Sequence, residues 1–422
     1  MNRRTFLGKA GLIGTGLAAL QPFPSVLGAN QKIRLAIMGT NGRGTSLARS
    51  FARLEDAEVA FICDPDQRAI AKAVKASADI QGKEPEGLED FRTILDRSDW
   101  DALVIAAPNH WHAPATILGC QAGKHVYVEK PASQNAWEGQ LAVEAARKYD
   151  RIVQVGMQRR SLDAFQQGIQ MIHDGAIGKV HFARAWYANS RGGIGKGEPA
   201  DIPDWLDYEL WQGPAPEHPF QSNLIHYNWH WFWHWGNGEL GNNGIHSLDV
   251  CRWGLQVDCP TSVTSTGGRY HFDDDQQTPD TNIVAFDFGH ATITWEGRSC
   301  QNHPIEGTTF GVAFYGTEGT MIMDSGSFKI MDPKNQLVSE VKGDGSDTQH
   351  LQNFLDCIRS GERPTGDIEI GHKSTMLCHL GNIAYRTGHT LHLNPDTGKI
   401  LDDPAAEALL RKEYRPGWTP KV

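Results

Sequence analysis

A strand that runs without a spacer into a glycine-rich turn admits few folds. Ile33 to Met38 (I-R-L-A-I-M) is a short aliphatic run, followed directly by G-T-N-G-R-G-T-S-L-A. Gly39, Asn41 and Gly44 fall at the three glycine positions of G-x-G-x-x-G, with Asn in the middle place. Asn is the residue that best tolerates a left-handed backbone after Gly, and Gly42 adds a further permissive position. The turn opens an amphipathic segment, Thr45 to Leu54, whose amino end would offer N–H groups and a positive dipole to a phosphate. Thr40 lies inside this candidate dinucleotide turn, and Arg43 is a further phosphate partner.

The same grammar then repeats. Strand Glu58 to Cys63 ends at Asp64, where a carboxylate can accept hydrogen bonds from an adenosine ribose and would repel a 2′-phosphate, or can cap the helix that starts at Pro65-Asp66. Strand Asp101 to Ala107 leads through Pro108-Asn109-His110-Trp111-His112 into a helix to Ala122. Strand Val126 to Val128, a helix over 135–148 and strand Ile152 to Val155 complete the series. The alternation predicts a parallel, doubly wound α/β sheet, a Rossmann domain over 30–156, with the loops at Thr40, Asp64, Pro108 and Glu129 on one carboxyl edge. Ligands bind at that edge in open sheets. Glu129-Lys130-Pro131 therefore reads as a charged pair held at a ligand edge, with an exposed surface turn as the alternative.

Beyond Gly156 the pattern changes. A helix near Leu162 to His173 precedes strands at Val180–Tyr187, Ser262–Thr266, Asn282–Phe288, Thr292–Trp295, Phe310–Tyr315, Thr320–Met323 and Phe328–Met331. Tight turns such as Gly316-Thr317-Glu318-Gly319 separate them. These features predict an α+β domain over 157–422 with a largely antiparallel open sheet, closed by helices near Leu351–Arg359 and His372–Thr387. One face of that sheet needs cover, which predicts a homo-oligomer, a dimer or a tetramer.

Residues 1–29 carry Arg3-Arg4 before an apolar run to Leu20 and small residues at Gly28 and Ala29. This is the layout of a twin-arginine (Tat) export signal, and the run is short and glycine-broken for the alternative, an anchor helix. Export would place the mature chain in the periplasm, with no membrane span. Without Arg3, Arg4 and Lys9, the 40 basic side chains become 37 against 50 acidic ones, a net of −13. That balance argues against a nucleic-acid partner. Seven scattered cysteines lack a C-x-x-C pair and suit neither a zinc site nor a disulfide scaffold, although export leaves room for one late disulfide.

Taken together, Gly39 to Gly44, Pro108 to His112, Glu129-Lys130-Pro131 and G-I-H-S-L-D at Gly244 to Asp249 resemble the Gfo/Idh/MocA oxidoreductases, and most of all their secreted twin-arginine members. The resemblance implies an NAD cofactor, with NADP as the alternative, on the glycine turn and on Pro108, Asn109, His110, His112, Glu129 and Lys130. It implies that Lys130 places nicotinamide and substrate hydroxyl, and that His246 is the general acid/base. Oxidation of a secondary alcohol needs a proton removed as hydride leaves, and imidazole titrates nearest neutrality. Asp249, one helical turn on, could orient His246 or hold a hydroxyl. The family pattern has aspartate four residues before the histidine, whereas this chain has Asn242, which cannot carry a proton away.

His226 to Trp235 (H-Y-N-W-H-W-F-W-H-W), read as extended chain, would put Tyr227, Trp229 and Trp231 on one face and His230 on the other. Aromatic faces stack on sugars, so a carbohydrate wall is one reading and core packing the other. No carboxylate or cysteine interrupts the histidines, so no metal is expected. Gln158 and Arg159 could bind substrate or bridge the domains. The expected activity is oxidation of a sugar or cyclitol hydroxyl with a retained, recycled cofactor, since free nicotinamide cofactor is not supplied outside the cytoplasm. A redox-neutral glycoside hydrolase or lyase acting through a 3-keto intermediate and a non-catalytic sugar-binding protein are the alternatives.

Overall fold

The computed structural model describes residues 31–422; the export signal expected over 1–29 lies outside the described residues. In chain order the first domain runs β1 (Ile33–Met38), α1 (Arg43–Ala52), β2 (Ala57–Cys63), α2 (Gln67–Gln81), β3 (Glu86–Leu88), β4 (Ala102–Ile105), α3 (Asn109–Gln121), β5 (His125–Val128), α4 (Ala136–Lys148) and β6 (Val153–Val155). All six strands are parallel, in the order β3-β2-β1-β4-β5-β6. The inner strands β1, β2, β4 and β5 are short and mostly apolar because both faces of the sheet are covered there, whereas edge strand β3 is largely exposed. α4 begins on a capping box in which the Asn135 side chain accepts from Glu138 N while Glu138 reaches back. The P-N-H-W-H run is not a loop: Pro108 is the N-cap of α3, and Asn109 to His112 form its first turn. Proline suits this place because it has no N–H to leave unpaired.

The second domain continues with α5 (Asp163–His173), β7 (Val180–Ala188), α6 (Tyr208–Gln212), α7 (Ile245–Leu255), β8 (Ser262–Gly268), β9 (Thr281–Asp287), β10 (Thr292–Arg298), β11 (Phe310–Gly316), β12 (Thr320–Asp324), β13 (Ser327–Met331), β14 (Leu337–Val341), α8 (Thr348–Ser360), α9 (Ile368–Thr387), β15 (Leu391–His392) and α10 (Pro404–Ala408). Its nine strands form one sheet, β14-β13-β12-β11-β7-β10-β9-β8-β15, antiparallel except where β7 meets β10. The inward side chains, among them Ile293, Trp295, Phe286 and Phe314, pack with α5, α7 and α9 in one apolar core.

The cut at residue 156 separates the two sheets but not the two cores. α8, far along the chain, returns to the first sheet and puts Leu351, Phe354, Leu355 and Ile358 among Ile33, Leu35, Val104 and Tyr127. Phe354 sits edge-on to Tyr127 at 5.8 Å and to Phe51 at 6.5 Å between ring centroids. All seven cysteines are free thiols in this structure. Because α8 completes the first core, Phe354→Ala should cost ~3–5 kcal/mol in urea unfolding. A cost near zero would mean that the first domain does not need this helix.

Candidate active site

The strand order of the first sheet reverses between β1 and β4, which opens a crevice at their carboxyl ends. The two loops are nearly in contact there. Gly39 has φ +83°, and a Cβ on it would lie 2.4 Å from Ala107 N. A Cβ on Gly44 would strike the Gly39 carbonyl oxygen, whereas one on Gly42 would meet nothing within 4 Å. So Gly39 and Gly44 build the turn from behind, and Gly42 faces open space. Gly42 is also the N-cap of α1 and has no side-chain cap, so the first N–H groups of that helix point into the opening. A pyrophosphate fits this cradle.

The crevice is the near wall of one cavity of about 850 Å³. Asn41, Gly42, Arg43, Asp64, Pro108, Asn109, His112, Glu129 and Lys130 line it from the first domain. Gln158, Arg159, Asn242 and His246 line the far end together with Phe310 of β11. The volume lies in the upper part of the range for ligand sites. Asp64, at the opposite end, accepts hydrogen bonds from Thr40 N at 2.5 Å and Asp66 N at 2.9 Å. Burial pushes its carboxyl up, against the pull of those two donors.

Lys130 precedes a cis proline, and its Nζ donates to the Asn242 carbonyl oxygen at 2.8 Å and to Asn242 Oδ1 at 3.1 Å. An ammonium has three donors, so one N–H remains for the cavity. Burial lowers the Lys130 pKa, with neighbouring Glu129 opposing the shift. Asn242 lies in a π-helical turn, Leu240–Gly244, that runs directly into α7, with His246 in its first turn. Such turns re-aim side chains at functional positions. Burial holds the His246 imidazole well below its ordinary pKa, and the charges of Lys130, Arg159 and Arg43 act in the same direction. At neutral pH it is therefore a free base.

Arg43 does not stand free for a 2′-phosphate. Its Nε donates to Glu129 Oε1 at 2.7 Å and its Nη1 to Asp347 Oδ2 at 3.0 Å, while the Gln158 amide oxygen accepts from Nη2 at 2.8 Å. Burial would raise the Glu129 carboxyl, but Arg43 and Lys130 hold it below its usual value. Asp347, the N-cap of α8, carries no motif in the sequence. Glu239, also silent in the sequence, accepts from Arg191 Nε at 2.6 Å and from Asn242 Nδ2 at 3.4 Å. It supplies a carboxylate one turn before the position where the family carries aspartate.

Several expected site residues stand elsewhere. Asp249 does not reach His246: it accepts from Arg160 Nε at 2.8 Å and from Ser374 Oγ at 2.6 Å in a buried pair behind the cavity. His110 faces away from the cavity, its Nε2 2.9 Å from the Trp211 carbonyl oxygen. Thr40 is buried against Asp64 and, like Gly44, shapes the turn without lining the opening. His112 does line the cavity, but both its ring nitrogens lie against backbone carbonyls, Pro131 at 2.6 Å and Ala107 at 2.8 Å, so it braces the loop after Lys130.

The aromatic run is not extended chain. It contains a 3₁₀ turn, Asn228–Trp231, so the expected alternation of faces is lost. Tyr227, Trp229 and His230 line the cavity, with Trp229 stacked on His230 at 3.6 Å between centroids. Trp231 and Trp235 are buried. This run ends a strap from the second domain that crosses the first. Leu206 bridges Asp66, Gln67 N donates to Trp205 O at 3.1 Å, and His226 Nε2 lies 2.8 Å from Asp66 Oδ2. The strap covers the Asp64 end of the cavity, which Trp211 and His226 line. Among the described residues no cluster of three His, Cys, Asp or Glu is placed to hold a metal.

Residues 33–157 match the NAD-binding Rossmann fold of the GFO_IDH_MocA oxidoreductase family, and residues 176–420 match its C-terminal alpha/beta domain. The chain belongs to the Gfo/Idh/MocA oxidoreductases. It is 32% identical over 195 residues to a glycosyl hydrolase family 109 protein of Saccharopolyspora erythraea, a match covering 43% of this chain and 42% of the relative. A glycosyl hydrolase family 109 protein of Shewanella sp. is 28% identical over 214 residues, 44% of this chain and 46% of the relative. The chain thus spans less than half the length of these curated relatives. Among solved structures it resembles aldose-aldose oxidoreductase from Caulobacter crescentus, complexed with glycerol (TM-score 0.68, 20% identity, 86% of this chain and 100% of that one). It also resembles a levoglucosan dehydrogenase complexed with NADH and levoglucosan (TM-score 0.68, 16% identity, 86% and 99%). At these identities the structural likeness shows the fold.

Burial lowers the pKa of His110, His112, His125, His350, His372 and His379 as well as that of His246; it takes His350 to about 4 and His379 to about 3. An unfolded histidine titrates near ~6.5. Below that value the unfolded chain binds more protons than the folded one, so stability is full above pH ~6.5 and drains away as the pH falls toward the folded pKa values. The urea midpoint should therefore drop clearly between pH 7.5 and pH 5.5. An unchanged midpoint would mean that these imidazoles titrate in the fold as they do in the unfolded chain.

Proposed function

We propose that this protein oxidises a secondary alcohol of a sugar or cyclitol by hydride transfer to a bound NAD that it retains through many turnovers. The observation that carries this reading is the meeting of Lys130 and His246 on one cavity with the glycine turn. Gly42, the open end of α1 and Asp64 would hold the dinucleotide, and a bound nicotinamide supplies the hydride acceptor. His246, kept unprotonated, takes the hydroxyl proton at its ring nitrogen. Lys130, fixed by Asn242, turns its remaining N–H to the alkoxide oxygen and stabilises the developing charge. Buried Asp64 disfavours a 2′-phosphate, and Arg43 is already committed to Glu129 and Asp347, which favours NAD over NADP. The strap across the Asp64 end supports slow cofactor release. Retention agrees with export by the twin-arginine route, proposed from Arg3-Arg4, to a periplasm without free cofactor.

A second reading is a redox-neutral glycoside hydrolase or lyase, in which transient oxidation acidifies a neighbouring C–H. The family 109 relatives and Asn242 favour it. Denatured protein should release a nicotinamide dinucleotide identifiable by mass spectrometry, and the absorbance near ~340 nm of native protein should change on addition of sugars. Release of nitrophenol from nitrophenyl glycosides without that change would select the second reading. Lys130→Met and His246→Ala should each lower turnover roughly 10²–10⁴-fold with the dinucleotide still bound. Full turnover in both variants would remove Lys130 and His246 from the chemistry, whereas sugar binding without turnover, unchanged in both variants, would leave only a non-catalytic sugar-binding role.

A further inference from the structure

Two consecutive arginines follow β6, and they have opposite circumstances. Arg160 is bidentate on Asp249, with Nε at 2.8 Å from Oδ2 and Nη2 at 2.8 Å from Oδ1. Arg159 forms no ion pair among the described residues. It is 9% exposed, and of its five N–H donors one is engaged, Nη1 to Ser247 Oγ at a long 3.4 Å. Its guanidinium lies over the Phe310 ring at 4.1 Å. Burial pushes its pKa down to about 10, with Asp324 the foremost opposing charge. A nine-tenths buried guanidinium with four free donors is costly unless something that enters the cavity pairs with it.

The location says what that is. The cofactor's phosphates belong to the turn at Gly42, where Arg43 is already paired with Glu129 and Asp347. Arg159 is instead tethered to Ser247, the residue after His246, and shares Phe310 with that imidazole, whose ring centroid lies 6.4 Å from that of Phe310. Its free fork therefore faces the substrate end. A planar guanidinium with parallel donors matches a carboxylate in bidentate fashion.

We propose that Arg159 is an anion subsite, and that the preferred substrate is an acidic sugar whose carboxylate pairs with this guanidinium while the reacting carbon lies between Lys130 and His246. The assignment rests on the alcohol-oxidising sugar reading given above. It differs from that reading in demanding charge on the substrate. The dinucleotide-loaded full chain is tested with glucuronate and galacturonate against glucose and galactose, and with galactose 6-sulfate as a non-planar anion. The readouts are thermal-shift binding and KM with kcat. The acids should bind roughly 10–100-fold more tightly than their neutral parents. Arg159→Met should collapse that ratio toward one, Arg159→Lys should restore part of it, and the variants should still carry dinucleotide as a check on folding.

Equal affinity for acids and neutral parents, or a ratio unmoved by Arg159→Met, overturns the subsite and leaves the sugar reading standing. A preference for the sulfate over both carboxylates also overturns the carboxylate assignment. If none of the five sugars binds to loaded protein, both the sugar reading and the subsite fall together.

Discussion

The site exists because α9 ties two distant pieces of chain to one another. Thr375 Oγ1 accepts from Ala132 N, two residues after Lys130, at 3.1 Å. Its neighbour Ser374 donates to Asp249 at 2.6 Å and accepts from Arg252 Nε at 2.9 Å, both on the helix that carries His246. One turn of a buried helix thus holds the loop with the ammonium against the helix with the imidazole. Every one of these bonds lies away from water, where a lost partner leaves a buried polar group unpaired. The relative placement of Lys130 and His246 is over-determined for that reason.

Charge in the cavity follows the same economy of paired and unpaired groups. Arg43 is met by Glu129 and Asp347, Arg191 by Glu239, and Arg160 by Asp249. Lys130 has only the amide and carbonyl of Asn242, and Arg159 has a hydroxyl and an aromatic face. Of the cations that line the cavity among the described residues, Arg43, Lys130 and Arg159, only the last two have no carboxylate within ion-pair distance. In a low-dielectric cavity such cations are poised for negative charge that arrives with the substrate or develops during reaction. The exchange of aspartate for Asn242 belongs to this pattern, since a carboxylate there would neutralise Lys130.

Much of the first domain was legible because its signals are local. Strand, glycine turn and helix are fixed by residues close in sequence, and Gly39, Asp64 and Glu129 all fall at strand ends where sheet topology alone puts them in one crevice. The aromatic run failed for the opposite reason. Five aromatics at spacing two fit an extended strand, yet Trp231 and Trp235 gain more by entering the core, and the chain turns to let them. Asp249 lies at helical spacing from His246, but nothing nearby in sequence announces that Arg160 will claim it. Asp347 and Glu239 carry no motif at all, and they matter only because Arg43 and Asn242 arrive beside them.

By itself the sequence determined the two sheets, the dinucleotide cradle and the family, because backbone periodicity and glycine tolerance are properties of short segments. Which side chains face the cavity was decided by tertiary structure. That choice depends on competition among distant partners for buried charges, and α9, α8 and the strap settle it only once the chain has closed on itself.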